Sequence, residues 1–238
     1  YSDNRFAIAG HTNTNSPYAN DAFIALVSDV GEFVIKRKIS STNKSEKIVD
    51  MVIRAPFIYA LMEIAPNASS SETTFAISKM EVESFGITSI WTKEYAQVGN
   101  WFKNISFAIN EFDEFVISAG LYDKNASQLN AIWLAKYDID GDQIWNYRHN
   151  IIDITNTTIA SVQGIGIDIF GEYNLGVTLD KPEGKRVDIY KFGYDGKITT
   201  HSENVIGRGS DGISVHTGTV DVSGDVYFIT LSSHSIKS

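Results

Sequence analysis

Asp138, Asp140 and Asp142, with Gly141 before the last of them, form the stretch of this chain best suited to hold a hard cation. Alternate carboxylates on a short loop can converge on calcium, which takes its ligands from oxygen. The distal Glu that completes an EF-hand loop is missing, however, and an Asp-Gly turn forms without any ion. The expectation is therefore a plain turn with no cofactor, and calcium at Asp138, Asp140 and Asp142 is the alternative at the same place.

Other chemistry is thinly represented. The five histidines, His11, His149, His201, His216 and His234, are scattered, with no i, i+4 pair and no HExxH, which points to solvent-exposed positions. No G-x-S-x-G elbow, Walker loop or dinucleotide fingerprint occurs, and Gly164-Ile-Gly166 sits in a strand-like run with no helix after it. Asp50, Asp113, Asp168 and Asp221 could gather at equivalent ends of a repeated unit. A pair of carboxylates at suitable separation would serve glycoside hydrolysis; as turn caps the same residues need no such role. No catalytic residue is assigned. Five N-x-S/T sequons, at Asn43, Asn67, Asn104, Asn125 and Asn156, are the candidate glycosylation sites.

The elements that must position these residues follow a repeat. Asn130 to Asn150 reads as a β-hairpin: apolar and aromatic residues from Ala131 to Tyr137, turn chemistry at Asp138 to Asp142, then apolar and aromatic residues again from Ile144 to Tyr147. The spacing predicts a tight primed turn, with glycine at positive φ. Similar hairpins run from Ala22 to Val34 around Gly31, from Thr74 to Trp91 around Gly86, and from Val187 to Thr199 around Gly196. Glycines 31, 86, 141 and 196 are each 55 residues apart. The second copy is the most degraded. A fixed period of this size marks a repeat architecture.

Each cycle supplies four short strands, and no helix of three turns with a 3.6 periodicity is present; the nearest candidate, Trp91 to Lys103, contains Gly99. Four antiparallel strands in 40 to 55 residues make the blade of a β-propeller. The fold class expected is thus all-β, a propeller of about four to five blades in this chain, with repeats near 1–46, 47–101, 102–156, 157–210 and a partial 211–238. A lone blade exposes both faces, so its apolar residues are expected to pack against neighbouring blades. Phe6, Phe23, Phe115, Trp133, Trp145, Tyr173, Tyr190 and Tyr227 are the large residues expected there. The chain starts and ends at the second strand of a cycle, which suggests a fragment of a larger ring or an assembly subunit.

The motifs also resemble a known family. NRFAIAGHTN (4–13) with DAFIALVSDVGEF (21–33), FVISAGLYD (115–123) with NAIWLAKYDIDGDQIW (130–145), and DGISVHTGTVDVSGDVYFITLSS (211–233) resemble the bacterial and archaeal surface β-propeller repeats of the SBBP type. The resemblance implies a propeller fold and says almost nothing of function, because propellers host enzymes, adhesins and scaffolds alike. KYDIDGDQIW also resembles the turn of quinoprotein-like propeller repeats. The vicinal cysteines common at quinone sites cannot exist in a chain with no cysteine, which leaves a non-catalytic scaffold of that class.

Composition narrows the partners. A net charge of −9 argues against nucleic acid or an anionic membrane surface, both of which reward basic patches. No apolar segment is long enough to span a membrane as a helix. Without cysteine there are no disulfides and no thiolate metal sites. The first functional expectation is a non-enzymatic extracellular or cell-surface module that binds a protein or glycan partner, or assembles, through its loops. The alternatives are a polysaccharide-active enzyme with a central-channel carboxylate site and a quinoprotein-like scaffold.

Overall fold

Continuous apolar runs become inner strands buried on both faces, and alternating runs become outer strands. The computed structural model describes residues 6–13, 20–39, 44–67, 69–70, 72–84, 86–95, 100–123, 128–150, 158–181, 184–204, 212–220 and 226–233, and all regular structure among them is β-strand. The chain forms two compact units, Tyr1–Val98 and Gly99–Ser238.

The first unit holds a three-stranded sheet and a four-stranded sheet. Strands β1 (Phe6–Asn13), β2 (Asn20–Val27) and β3 (Phe33–Ile39) pair in that order, antiparallel. Strands β4 (Ser45–Arg54), β5 (Phe57–Ala65), β6 (Thr74–Val82) and β7 (Ile87–Tyr95) form a complete antiparallel blade. Ile24 and Leu26 of β2 pack with Ile58, Ala60, Met80, Val82 and Ile87 of the second sheet, so each sheet covers a face the other could not leave in water.

The second unit repeats this twice. Strands β8 (Asn100–Ile109), β9 (Phe115–Asp123), β10 (Gln128–Tyr137) and β11 (Gln143–His149) make one blade. Strands β12 (Thr158–Ile167), β13 (Tyr173–Lys181), β14 (Gly184–Phe192) and β15 (Ile198–Asn204) make the next, and the bridge Leu129↔Ile159 joins the two. A final pair, β16 (Gly212–Val220) and β17 (Val226–Ser233), follows. The core between the two blades draws Ile132 and Leu134 from one and Leu175, Val177 and Phe192 from the other.

Phe115, Trp133, Tyr173 and Tyr190 are buried and Trp145 packs against that core, as the repeat leads one to expect. Phe23 is half-buried. Phe6 departs from the expectation at 62% exposed, because Ala7 and Ala9 turn to the core of the first unit and strand alternation sends Phe6 and Ile8 to the other face. The side chain of Tyr227 lies outside the described residues.

The hairpin turns differ from the primed type. Residues 28–32, 110–114, 138–142, 168–172 and 193–197 share one pattern. In each, the first amide donates to the fifth carbonyl, and the fourth amide donates back to the first carbonyl. The fourth residue has positive φ in every case: Gly31, Asp113, Gly141, Gly171 and Gly196. This is the three-residue hairpin loop, a turn followed by a left-handed residue, and beside 28–32, 138–142 and 193–197 the strand register also slips by one. Gly86 belongs to a different turn, in which the Glu83 amide donates to its carbonyl, so its place in the 55-residue series does not reflect the same geometry.

Candidate functional site

In an antiparallel blade the connection between strands one and two and that between strands three and four fall at the same end. In the second unit this end is built from the turns 110–114, 138–142, 168–172 and 193–197. Trp145, just after one turn, packs against Tyr173, just after another, with ring centroids 5.9 Å apart. The backbone of Gly196 in a third turn approaches both Trp145 and Tyr147. The four turns of the two blades therefore share one end.

Side chains at the first position hold these turns. Asp138 Oδ1 accepts hydrogen bonds from the amides of Asp140 (3.0 Å) and Asp142 (2.8 Å). Asp168 Oδ1 accepts from Phe170 (2.9 Å) and Glu172 (3.0 Å), and Asn110 Oδ1 from Phe112 (2.9 Å) and Glu114 (3.0 Å). Where glycine stands first, at Gly193, Asp195 Oδ1 accepts from the Lys197 amide instead (3.1 Å). The carboxylate proposed to start a calcium loop is thus turned onto its own backbone. Among the described residues no group of three His, Asp or Glu side chains is arranged to hold a metal ion, Asp138, Asp140 and Asp142 included.

Two lysines on the third strands brace the same end. Lys136 reaches Glu114 (2.7 Å) and Lys191 reaches Asp168 (3.0 Å) and Glu172. Burial alone raises the Asp168 carboxyl. The amides of Glu172 and Phe170 together with the Lys191 ammonium outweigh it and hold the group below the usual carboxylate value. Glu114 is lowered in the same way, with burial opposed by Lys136 and Asn110. Lys191 is raised by the two carboxylates it faces. Burial pushes the Tyr173 hydroxyl up to about 12, and the charge of Glu114 adds to it.

Between the anchored positions the turn tips are free, and they carry large apolar groups. Phe112 is 69% exposed, Phe170 77% and Tyr194 77%, with Ile139 and Ile169 also in solvent. Sequence reasoning missed these tips because it treated the turns as glycine signals only. A count of apolar residues at the second and third turn positions would have found them.

A second group of polar residues lies on the outer part of the last full blade. Asp188, fully buried, is gripped by Arg186 through Nε (2.6 Å) and Nη2 (2.7 Å) and receives His201 Nε2 at 2.9 Å. The His201 ring stacks on Tyr190 at 4.3 Å. Register explains the arrangement: Tyr190 pairs with His201, while Arg186, Asp188 and Tyr190 alternate onto one face of β14.

The remaining candidates are dispersed. Asp50 lies in β4 beside an irregularity in the register, its Oδ1 accepting from the Met51 amide at 2.8 Å. Asp113 holds the left-handed turn position at φ 59°. Asp221 falls outside the described residues. His149 donates from Nε2 to the Gly196 carbonyl (3.1 Å) and packs on Phe192. His11 is exposed on β1, His216 lies in β16 with its side chain outside the described residues, and His234 is outside them altogether. Asn67 lies in the turn after β5, its Oδ1 accepting from the amide (3.1 Å) and hydroxyl (2.8 Å) of Ser69. Asn104 sits within strand β8 at φ 53°. Asn43, Asn125 and Asn156 lie outside the described residues.

No family model matches the chain, and no curated protein does. Among solved structures, the chain is similar to an exo-β-1,3-galactanase from Clostridium thermocellum at 8% identity and a TM-score of 0.52, over 98% of this chain and 57% of that one. A Dos1 propeller aligns at 9% identity and a TM-score of 0.49, over 88% of this chain and 48% of that one. The chain thus spans about half the length of the solved structures it matches. At such identities the likeness speaks for fold alone, and together with the four-stranded antiparallel blades it makes this chain a β-propeller.

Proposed function

We propose that this chain is a non-enzymatic binding module of an extracellular or cell-surface protein, which engages a partner through the turns at one end of its blades. The observation that carries the reading is the use to which the anchored turn carboxylates are put. Asp138 and Asp168 cap backbone amides, and Asp168 and Glu114 are tied to lysines that hold them ionised. A general acid for glycoside hydrolysis needs a carboxyl pushed up, not down. Exposed aromatic tips beside such fixed carboxylates suit recognition better than chemistry.

The competing reading is a polysaccharide-active enzyme, and its support is the fold likeness to the exo-β-1,3-galactanase. Incubation of the purified chain with β-1,3-galactan and a panel of other polysaccharides, followed by detection of reducing ends, separates the two. No turnover is expected. Release of sugar that disappears in Asp50→Asn or Asp113→Asn would overturn the binding-module reading.

A further inference from the structure

Tight turns ordinarily select Gly, Pro, Asn, Asp and Ser, each for a backbone reason. In the second unit those demands fall on the first and fourth positions of each turn, where Asn110, Asp138 and Asp168 cap and Asp113, Gly141, Gly171 and Gly196 supply positive φ. Apart from Asp195, which accepts from the Lys197 amide, the side chains at the second and third positions cap no backbone amide among the described residues. These positions nonetheless hold Phe112, Ile139, Ile169, Phe170 and Tyr194, all in solvent. An exposed aromatic on three of the four turns, with Ile139 exposed on the fourth, is not expected of a surface selected only to be wet.

The spacing makes one platform of them. Within a blade the two turns are separated by two strand intervals, about 10 Å. The Trp145–Tyr173 contact and the approach of Gly196 to Trp145 bring the turns of the second blade alongside those of the first.

Charge identifies the occupant. The four turns carry nine carboxylates against the single ammonium of Lys197. Lys136 and Lys191 compensate Glu114, Asp168 and Glu172, and Lys197 lies against Asp195. Glu111, Asp113 and Asp140 at the tips enter no salt bridge with a described cation. A second copy of this acidic chain, a nucleic acid or an anionic bilayer would be repelled there.

We propose that the turn end of the second unit is a docking face for a basic polypeptide segment that alternates Lys or Arg with apolar side chains. Its apolar residues lie among Phe112, Phe170 and Tyr194, and its cations meet Glu111, Asp113 and Asp140. This assignment rests on the binding-module reading and names the partner that module takes.

Fluorescence anisotropy of the full chain with three labelled peptides tests it: one alternating Lys and Leu, one alternating Glu and Leu, and one alternating Lys and Ser. The Lys-Leu peptide is expected to bind best, and the Glu-Leu peptide not at all. The triple variant Phe112→Ser, Phe170→Ser, Tyr194→Ser should weaken Lys-Leu binding at least about tenfold, since aromatic anchors dominate interface energies. Glu111→Lys with Asp140→Lys should weaken it independently and flatten its salt dependence. All these side chains are exposed, so an unchanged melting curve shows each variant folded. Equal affinity for the Lys-Leu and Glu-Leu peptides, or binding indifferent to the triple variant, overturns the docking face and leaves the functional reading standing. Self-association in sedimentation, or binding of a neutral β-glucan, that the triple variant abolishes overturns the choice of partner. Turnover in the polysaccharide assay overturns the functional reading on which this assignment rests, a failure distinguishable from loss of peptide binding.

Discussion

Replacing Gly196 with alanine should destabilise the second unit far more than the same change at Gly171, although both hold the fourth position of equivalent turns. Their φ values are nearly equal, 78° and 76°, so alanine meets the same backbone penalty at each, about 1–2 kcal/mol. Their surroundings differ. A Cβ on Gly171 meets nothing within 4 Å, whereas a Cβ on Gly196 lies 2.8 Å from Cη2 and Cζ3 of Trp145 and from Cδ2 of Tyr147. Neither ring can simply swing away, since Trp145 packs against Tyr173 and Tyr147 and Tyr147 packs against His149. Forcing a methyl into packing of this kind costs about 1–3 kcal/mol beyond strain. Urea unfolding should therefore show a loss of about 2–5 kcal/mol for Gly196→Ala and about 1–2 for Gly171→Ala. The intrinsic tryptophan emission of the native state should change only in the former. Equal losses in the two variants would refute the claim that interblade contact, and not φ alone, fixes glycine at position 196.

Asp138→Ala removes the acceptor for two turn amides and should cost about 1–2 kcal/mol in urea unfolding, while Asp138→Asn, which keeps the Oδ1 that serves so well at Asn110, should lie within about 0.5 kcal/mol of the parent. Calcium added to the parent should leave its melting temperature unchanged; a rise lost in Asp138→Asn would mean the loop binds the ion after all. Burial lowers the His149 imidazole below 6.5 by more than its hydrogen bond to Gly196 raises it. Below pH 6.5 the unfolded chain then takes up a proton the folded one refuses, so stability falls as pH drops from there toward the folded value. His149→Phe should flatten this slope, read from urea midpoints at about pH 7.5 and about pH 5.5. Asp168 is depressed in the folded state, so its contribution is complete above the unfolded value of 3.8 and is lost as pH falls through the folded one. Lys191→Met should move the acid-unfolding midpoint to higher pH.

The strands were legible because their signal is local: FVISAGLYD and NAIWLAKY are short apolar runs, rich in aromatic and β-branched residues, that end at turn residues. The turns were legible only in part. Glycines 31, 141 and 196 announced three of the five three-residue loops. Gly171 lay off the 55-residue period, and Asp113 occupies the left-handed position without being glycine. Gly86 kept the period but belongs to another turn. The acids at 138–142 were ambiguous for a related reason. Alternating acids look alike whether they face a cation or their own amides, and in a five-residue turn the amides of Asp140 and Asp142 are already within reach of Asp138. The Arg186–Asp188–His201 group was invisible because β14 and β15 must first adopt a register that sets His201 opposite Tyr190.

That group and the turns show a common division of labour. Asp188 is fully buried, and Arg186 and His201 satisfy its charge; deleting one partner of such an arrangement strands a charge in the interior and costs about 3–5 kcal/mol. The anchored turn positions carry milder obligations of the same sort, each tied to a named amide or lysine. Every residue so bound is withdrawn from recognition, since moving it would cost the fold. The tips at Phe112, Phe170 and Tyr194 bear none of these ties, and the blade stands whatever side chain they present. In a repeat whose sheets are fixed by packing, variation without loss of stability is possible mainly at such positions, and it is there that one propeller can be told from another by whatever it meets.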